Sequence, residues 1–255
     1  MNRRITRWDG RHVWIIGAST GIGAAAATLL LERGAHVALS ARQGEALRQV
    51  AGERPRALVL PLDITEHASV VDACATLRTA WPRIDLVLVV AGGYNEMRAD
   101  AIDLAAVNRL IDLNLRGVFH CLDAVLPVLL RQGAGGIGLV ASVAGYGGLP
   151  KALVYGPTKA ALINLSESLY LDLHGRGIDV YQINPGFVDT PLTAGNDFPM
   201  PALISAVEAA RQMVRGIERG QFHIHFPRRF TNCLRLARLL PYGLYFWLVR
   251  KVTGL

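Results

Sequence analysis

The sequence of 255 residues contains only three cysteines, Cys74, Cys121 and Cys233, and they lie far apart. Their spacing matches no metal-binding or redox motif, which argues against a disulfide framework and indicates a reducing compartment. A signal-like apolar run is lacking as well, because the apolar stretch at residues 12–16 is too short for export or for spanning a bilayer. We therefore expect a cytoplasmic protein.

Candidate metal ligands are also sparse. His223 and His225 alternate with apolar neighbours and so share one face of a predicted strand. A metal held by this pair would lack an evident third ligand, and a polar strand face is the favoured interpretation. No metal is expected.

Acidic residues are scarce near the C-terminus. Residues 1–210 contain 18 Lys+Arg and 19 Asp+Glu, whereas residues 211–255 contain 9 and 1, so the whole net charge of +7 comes from the last segment. Hydrophobic residues make up 51% of the chain, which suits one large α/β domain with a substantial core.

A buried strand, a glycine turn and a helix follow one another near the start. The strand covers residues 13–16 and the helix residues 24–33. This order is typical of a dinucleotide-binding unit, in which the glycines allow a close approach to the pyrophosphate and the helix N-terminus offers free N–H groups. A glycine loop without a ligand is the alternative. The turn supplies the first predicted cofactor contacts: Gly17, Ser19, Thr20, Gly21, Ile22 and Gly23.

Arg42 follows the second predicted strand, residues 35–40, where such folds contact the 2′ position of the ribose. A carboxylate there would accept a hydrogen bond from a free 2′-hydroxyl, but the next one is Glu45. A guanidinium can instead meet a 2′-phosphate with two parallel hydrogen bonds. NADP(H) is therefore predicted in preference to NAD(H), with a solvated surface arginine as the alternative.

Strands and helices alternate through the rest of the chain. Further strands are predicted at 57–62, 84–90, 137–141, 178–183 and 221–226, and helices at 43–53, 66–80, 103–131, 153–174 and 200–219. This pattern predicts an α/β fold with a doubly wound, parallel, seven-stranded sheet in one domain, residues 1–227. Asp63 ends the third strand, where it would bond an adenine amino group, cap the next helix, or do both.

Tyr155 and Lys159 are four residues apart and so share one face of a helix. A nearby ammonium group favours the phenolate and is expected to lower the pKa of the tyrosine from its usual value near 10. Ser142 lies at the end of the fifth strand, where its hydroxyl would polarise a carbonyl that Tyr155 protonates. The pair alone is weak evidence, but it lies with the glycine turn at the carboxyl ends of the strands, where such sheets bind ligands.

Together these motifs resemble the short-chain dehydrogenase/reductase family, of its single-domain type, from about residue 11 to 190 and more loosely to 227. The resemblance implies a catalytic set formed by Asn114, Ser142, Tyr155 and Lys159. It implies that the lysine bonds the nicotinamide ribose and that the asparagine holds a relay water. Further cofactor contacts are predicted at Asp63, Ile64, Ala91, Gly92, Pro185, Gly186, Val188 and Thr190.

The sequence departs from the family pattern after the fourth strand. Val89-Val-Ala-Gly92 stands where the family usually has Asn-Asn-Ala-Gly, and Gly17 follows Ile16 rather than a threonine. We expect valine packing to replace part of the lost polar bracing, while the groups needed for hydride transfer remain.

The predicted function is an NADP(H)-dependent oxidoreductase that acts on a carbonyl or secondary alcohol, with an apolar or lipid-like substrate. A non-catalytic NADP(H)-binding sensor or scaffold is the alternative, and no nucleic-acid partner is expected. Residues 190–200 suit a mobile lid, and a homodimer or homotetramer is implied by the resemblance. The candidate walls of an apolar cleft, which ordinary packing would also explain, are Tyr94, Tyr146, Leu149, Leu153, Phe187, Leu192 and Phe198.

Residues 228–255 form a basic and aromatic C-terminal extension with six basic and no acidic residues. Its longest uncharged run is too short to span a bilayer, which needs about 20 residues. The composition suits either a helix lying on an anionic membrane surface or a tail packed on its own domain or on a second subunit.

Overall fold

The computed structural model describes residues 1–254, so Leu255, the last residue of the predicted extension, lies outside the described residues. The strands are β1 (His12–Ile16), β2 (His36–Ser40), β3 (Ala57–Val59), β4 (Leu86–Val89), β5 (Gly135–Val140), β6 (Ile178–Pro185), β7 (Val188–Asp189), β8 (Ile204–Ser205) and β9 (His223–Phe226). The helices are α1 (Gly21–Glu32), α2 (Gly44–Ala51), α3 (His67–Ala80), α4 (Leu104–Ile111), α5 (Gly117–Gln132), α6 (Tyr155–Leu173), α7 (Ala206–Glu218), α8 (Arg228–Ala237) and α9 (Tyr242–Thr253).

Seven strands form one parallel sheet in the order β3-β2-β1-β4-β5-β6-β9. Hydrophobic clusters cover both faces of the sheet, and the strands are accordingly apolar along their length. The predicted doubly wound seven-stranded sheet is confirmed. Because the strand order reverses between β1 and β4, a crevice opens there at the carboxyl ends of the strands.

Several predicted boundaries were wrong, among them the start of the first helix, which begins at Gly21 rather than at residue 24. The helix expected from residue 200 begins at Ala206, since Pro199 and Pro201 precede it and Ser205 provides its cap by accepting a hydrogen bond from Glu208 N at 3.2 Å. The short strand β8 occupies part of the intervening segment and pairs with β7. The third strand ends at Val59 rather than at residue 62.

The long helical region from 103 to 131 is interrupted by one π-helical turn, Asp112–Arg116, between α4 and α5. Such turns add one residue to the helix and re-aim its side chains. Here the turn carries Asn114, which is fully buried. By length and composition alone the stretch 104–132 could cross a membrane, but it packs a row of buried side chains beside the sheet.

The two histidines of β9 have hydrogen-bond partners within the fold. His223 Nε2 lies 2.8 Å from the hydroxyl of Tyr146, and His225 Nδ1 lies 2.6 Å from Thr231 Oγ1. Burial, reinforced by nearby cationic groups, lowers the pKa of both imidazoles to about 4. The pair therefore serves as a neutral polar strand face, and residues 1–254 contain no group of three side chains suited to a metal.

Candidate functional site

A cleft of ≈ 370 Å³ opens at the carboxyl ends of the strands. Every residue predicted to contact a cofactor lines it, together with Ser142: Gly17, Ser19, Thr20, Gly21, Ile22, Gly23, Arg42, Asp63, Ile64, Ala91, Gly92, Tyr155, Lys159, Pro185, Gly186, Val188 and Thr190. The structure thus brings these separate segments together around one space, although their roles remain predictions.

The glycine turn lines the cleft, and close contacts leave no room for side chains at its glycines. Gly17 has φ of 98°, and a β-carbon there would lie 2.4 Å from Ala91 N at the end of β4. A β-carbon on Gly23 would lie 2.0 Å from Gly17 O. The first turn of α1 therefore approaches the cleft with bare backbone, which suits a phosphate group.

Asp63 lines the cleft but does not cap the next helix, so that interpretation was wrong. Its carboxylate accepts hydrogen bonds from Thr65 N at 2.9 Å and from Thr65 Oγ1 at 2.8 Å, whereas α3 begins after Glu66. The local turn at residues 63–65 satisfies the side chain before the helix starts.

Arg42 lines the cleft, and its side chain is exposed. Within residues 1–254 its guanidinium makes no hydrogen bond and no ion pair, whereas Arg48, one turn into α2, pairs with Glu45 at 2.9 Å. The guanidinium is therefore available for an anionic group bound in the cleft.

Ser142, Tyr155 and Lys159 line the cleft together. Ser142 follows β5 and its hydroxyl accepts a hydrogen bond from Ala144 N at 3.1 Å. Tyr155 and Lys159 lie one turn apart on α6, with the ammonium 5.7 Å from the centre of the phenol ring. The buried ammonium donates a hydrogen bond to Val140 O at 2.9 Å.

The electrostatics of this group differ from the expectation. Burial raises the pKa of Tyr155, and a hydrogen bond with Ser142 offsets only part of that rise. Burial also lowers the pKa of Lys159 to about 8. The predicted acidic phenol was therefore wrong for the protein's own groups, because burial is the largest influence on the pKa of both side chains. At neutral pH the phenol keeps its proton.

Asn114 lies behind the cleft and braces the end of β4. Its amide oxygen accepts a hydrogen bond from Gly93 N at 2.7 Å, and its amide nitrogen donates to Gly93 O at 2.9 Å and to Thr158 Oγ1 at 3.2 Å. A β-carbon on Gly92 would lie 3.2 Å from Lys159 Nζ and 3.3 Å from Asn114 Oδ1. The asparagine therefore supplies bracing where the family's usual asparagines are missing.

Replacement of Asn114 by alanine is expected to lower the free energy of unfolding by about 2 kcal/mol, because two partly buried backbone groups of Gly93 would lose their partners. Urea denaturation measures the change. Asn108→Ala is the matched control, since Asn108 is exposed on α4. Equal midpoints for the two variants would contradict the bracing role.

Lys151, a residue that sequence reasoning missed, joins two loop segments by ion pairs. Lys151 has φ of 61° and pairs with Glu96 at 3.0 Å and with Asp197 at 2.5 Å. It thus ties the segment after β4 to the segment predicted as a lid. Only the tertiary contacts reveal it, because the three residues are distant in the sequence.

Some of the candidate wall residues lie at or near the cleft, and others belong to the ordinary packing of the domain. Tyr94 packs edge-on against Tyr155 with ring centres 5.2 Å apart, and Leu192 lines the cleft. Phe187 packs against Phe198 nearby. Tyr146 is buried and bonded to His223, so it belongs to the packing.

Several residues that sequence reasoning missed also line the cleft. They flank the predicted contacts in the chain, and that adjacency was the only available signal: Ile16, Ala41, Gln43, Leu62, Val90, Leu113, Val140, Ala141, Pro191 and Thr193.

Comparison with known proteins agrees with the resemblance seen in the sequence. The family model described as short chain dehydrogenase matches residues 11–198. An uncharacterised oxidoreductase from Myxococcus xanthus is 34% identical over 246 residues, which cover 95% of this chain and 97% of that protein.

Solved structures share the fold. A 3-ketoacyl-(acyl-carrier-protein) reductase from Brucella melitensis, complexed with NADH, aligns with a TM-score of 0.78 and 24% identity over 86% of this chain and 97% of that chain. A short chain dehydrogenase from Burkholderia cenocepacia J2315, in complex with NADP, aligns with a TM-score of 0.79 and 24% identity over 91% of this chain and 94% of that chain.

Proposed function

This chain belongs to the short-chain dehydrogenase family, and we propose that it is an NADP(H)-dependent oxidoreductase acting on a carbonyl or secondary alcohol. The observation that carries the proposal is the meeting of Ser142, Tyr155 and Lys159 in the cleft that the glycine turn also lines. The bare backbone of that turn suits the phosphates of a dinucleotide, and the Tyr94 ring beside Tyr155 supports an apolar substrate.

The chain's own residues would polarise the substrate and move its proton. When bound, the nicotinamide supplies or accepts the hydride. In the reductive direction Ser142 would donate a hydrogen bond to the carbonyl oxygen, where negative charge develops. Tyr155, which burial keeps protonated at neutral pH, would donate its proton to that oxygen. The ammonium of Lys159 would stabilise the phenolate that remains, and we assign Asn114 to positioning the groups behind it.

A substrate screen tests the reaction. NADPH consumption would be measured against ketones graded by chain length and ring count, with NADP⁺ reduction against the matching alcohols. We expect turnover that rises with the apolar size of the substrate. Tight NADPH binding without turnover across the panel would instead support a non-catalytic sensor or scaffold.

The preference for NADP(H) rests on the guanidinium of Arg42, which lines the cleft and has no ion-pair partner within residues 1–254. Glu45 is the nearest following carboxylate in the sequence, and it is paired with Arg48. A 2′-phosphate would therefore meet a cation without an opposing anion.

Replacement of Arg42 by alanine is expected to weaken NADPH binding by roughly 10- to 100-fold, because a charge-assisted hydrogen bond contributes about 1.5–3 kcal/mol. Binding of NADH should change less than about threefold. Both affinities can be measured by nucleotide fluorescence titration. Arg48→Ala is the control, and a loss shared equally by NADPH and NADH would contradict the assignment.

The proposed assembly is a homodimer or homotetramer, supported by the exposed apolar side chains Phe119 on α5 and Leu171 on α6. The proposed location is the cytoplasm, which agrees with the free thiols of Cys74, Cys121 and Cys233.

A further inference from the structure

The last two helices present an apolar and cationic surface that the fold leaves uncovered. We define the tail surface as the exposed side chains of residues 228–252. Its large apolar members are more than a third of all those exposed in the described chain: Leu236, Leu239, Tyr242, Leu244, Phe246, Trp247 and Val252. Such a concentration of exposed apolar area marks an interaction site.

Basic residues accompany these apolar side chains. Residues 228–255 contain six basic and no acidic residues. The ammonium of Lys251 lies 5.0 Å from the ring centre of Trp247, and Leu236 and Leu239 alternate with exposed arginines on and after α8. Leucines and arginines that share one face are both stabilised only where an apolar phase and a polar phase meet. The headgroup boundary of an anionic bilayer does so, because arginines extend to the phosphates while the apolar groups enter the acyl region.

The attachment of the tail leaves this face free. Thr231 on α8 is fully buried, and Phe230 packs against Phe187 with ring centres 5.7 Å apart. In contrast, α9 has no buried residue and is held by Tyr245, whose hydroxyl donates to Gly148 O at 2.8 Å. The first helix is therefore anchored, while the second rests on the domain through Tyr245 and exposes Tyr242, Phe246 and Trp247.

The helices that carry the tail surface also contact segments next to the cleft. A β-carbon on Gly147 would lie 2.6 Å from the hydroxyl of Tyr245, and one on Gly186, which lines the cleft, would lie 3.1 Å from Phe230. The loop that follows Ser142 thus contacts α9, and the segment that follows β6 contacts α8. A bilayer in contact with the tail would therefore lie close to the segments that border the cleft.

We propose that α8 and α9 dock the protein on anionic membrane surfaces through the tail surface. The charge pattern selects the anionic headgroups, and the aromatic side chains of α9 supply the apolar contact. If the proposed oxidoreductase function holds, docking would place the cleft where an apolar carbonyl or alcohol can enter from the lipid. Docking itself does not depend on that function.

Vesicle co-sedimentation of the full chain tests docking separately from catalysis. The vesicles would contain phosphatidylcholine alone, or phosphatidylcholine and phosphatidylglycerol in equal parts. We expect binding only to the anionic vesicles, with release as salt rises from about 0.1 M to about 1 M, over which the Debye length falls from about 10 Å to about 3 Å.

Two double variants separate the charged and apolar contributions. The Arg250→Glu/Lys251→Glu variant should lower the vesicle partition coefficient by roughly tenfold or more, since each surface charge contributes about fivefold. The Phe246→Ser/Trp247→Ser variant should lower it by roughly tenfold or more as well, because it removes the apolar contact with the bilayer. Val71→Ser and Arg78→Glu are the controls, because both positions are exposed on α3. Circular dichroism and NADPH binding should be unchanged in all variants.

Absence of binding to the anionic vesicles, or equal binding to both vesicle types, would overturn docking. A shift of the Phe246→Ser/Trp247→Ser variant to a smaller oligomer in sedimentation velocity, without vesicle binding by the parent chain, would overturn it too and assign the surface to a second copy of the chain.

Discussion

Replacement of Tyr155 by phenylalanine is expected to lower kcat by roughly 10²- to 10⁴-fold, the range that general acid catalysis contributes. The affinity for NADPH should change less than about threefold, because the phenol ring and its packing against Tyr94 are kept. Steady-state NADPH consumption gives kcat, and fluorescence titration gives the affinity. The large loss with unchanged binding follows from the position of the hydroxyl beside Ser142.

Tyr94→Phe is the matched control for this variant. Tyr94 also carries a partly buried phenol in contact with Tyr155, and its hydroxyl lies 3.4 Å from Lys151 O. We expect it to retain kcat within a few-fold. Turnover retained by Tyr155→Phe, or an equal loss in both variants, would refute the assignment of Tyr155 as the acid.

Replacement of Lys159 by methionine is expected to have opposite effects on activity and on stability. Turnover should fall by a factor similar to that of the tyrosine variant, because the phenolate loses its neighbouring cation. The free energy of unfolding at pH 7 should rise by about 2 kcal/mol. A pKa lowered from 10.5 to about 8 corresponds to roughly 3 kcal/mol of desolvation cost, from which about 1 kcal/mol is subtracted because Val140 O loses its donor.

The stability difference should depend on pH with a definite sign. The folded chain binds the lysine proton less tightly than the unfolded chain, so the cost of the charged group is fully present below pH about 8. Between about 8 and 10.5 the folded chain releases this proton first, and the stability of the parent chain rises toward that of the variant. The advantage of Lys159→Met should therefore shrink across this window.

Urea denaturation at pH 7 and at about pH 9.5 measures both values, with Lys251→Met as the control because Lys251 is exposed on α9. In the parent chain the rate of carbonyl reduction should decline above pH about 8, as Lys159 loses its charge. A less stable Lys159→Met chain whose deficit is the same at both pH values would contradict the lowered pKa.

Much of the site could be predicted because its parts are local patterns at the ends of predicted strands. The glycine turn is recognisable from the strand before it and the helix after it, and Tyr155 and Lys159 from their spacing on α6. Parallel strands with helical crossovers bring their carboxyl ends to one edge. That rule was enough to predict that these residues line one cleft.

Other features depend on contacts between distant segments and could not be predicted in the same way. Asn114 makes its two hydrogen bonds with Gly93 from a π-helical turn, and no sequence pattern predicts that turn. The positive φ of Lys151 and its two carboxylate partners lie in irregular loops. The pKa direction of Tyr155 was mispredicted for a related reason, since spacing indicates the neighbouring cation but not the depth of burial.

The sequence by itself determined the order of strands and helices, the edge of the sheet that binds a ligand and the residue types that meet there, because periodicity and turn chemistry act over a few residues. Only the tertiary structure decided the protonation of Tyr155 and Lys159, the bracing of β4 by Asn114 and the outward face of α9. Desolvation, hydrogen-bond geometry and exposure are set by the neighbours of a side chain in space, and those neighbours come from distant parts of the chain.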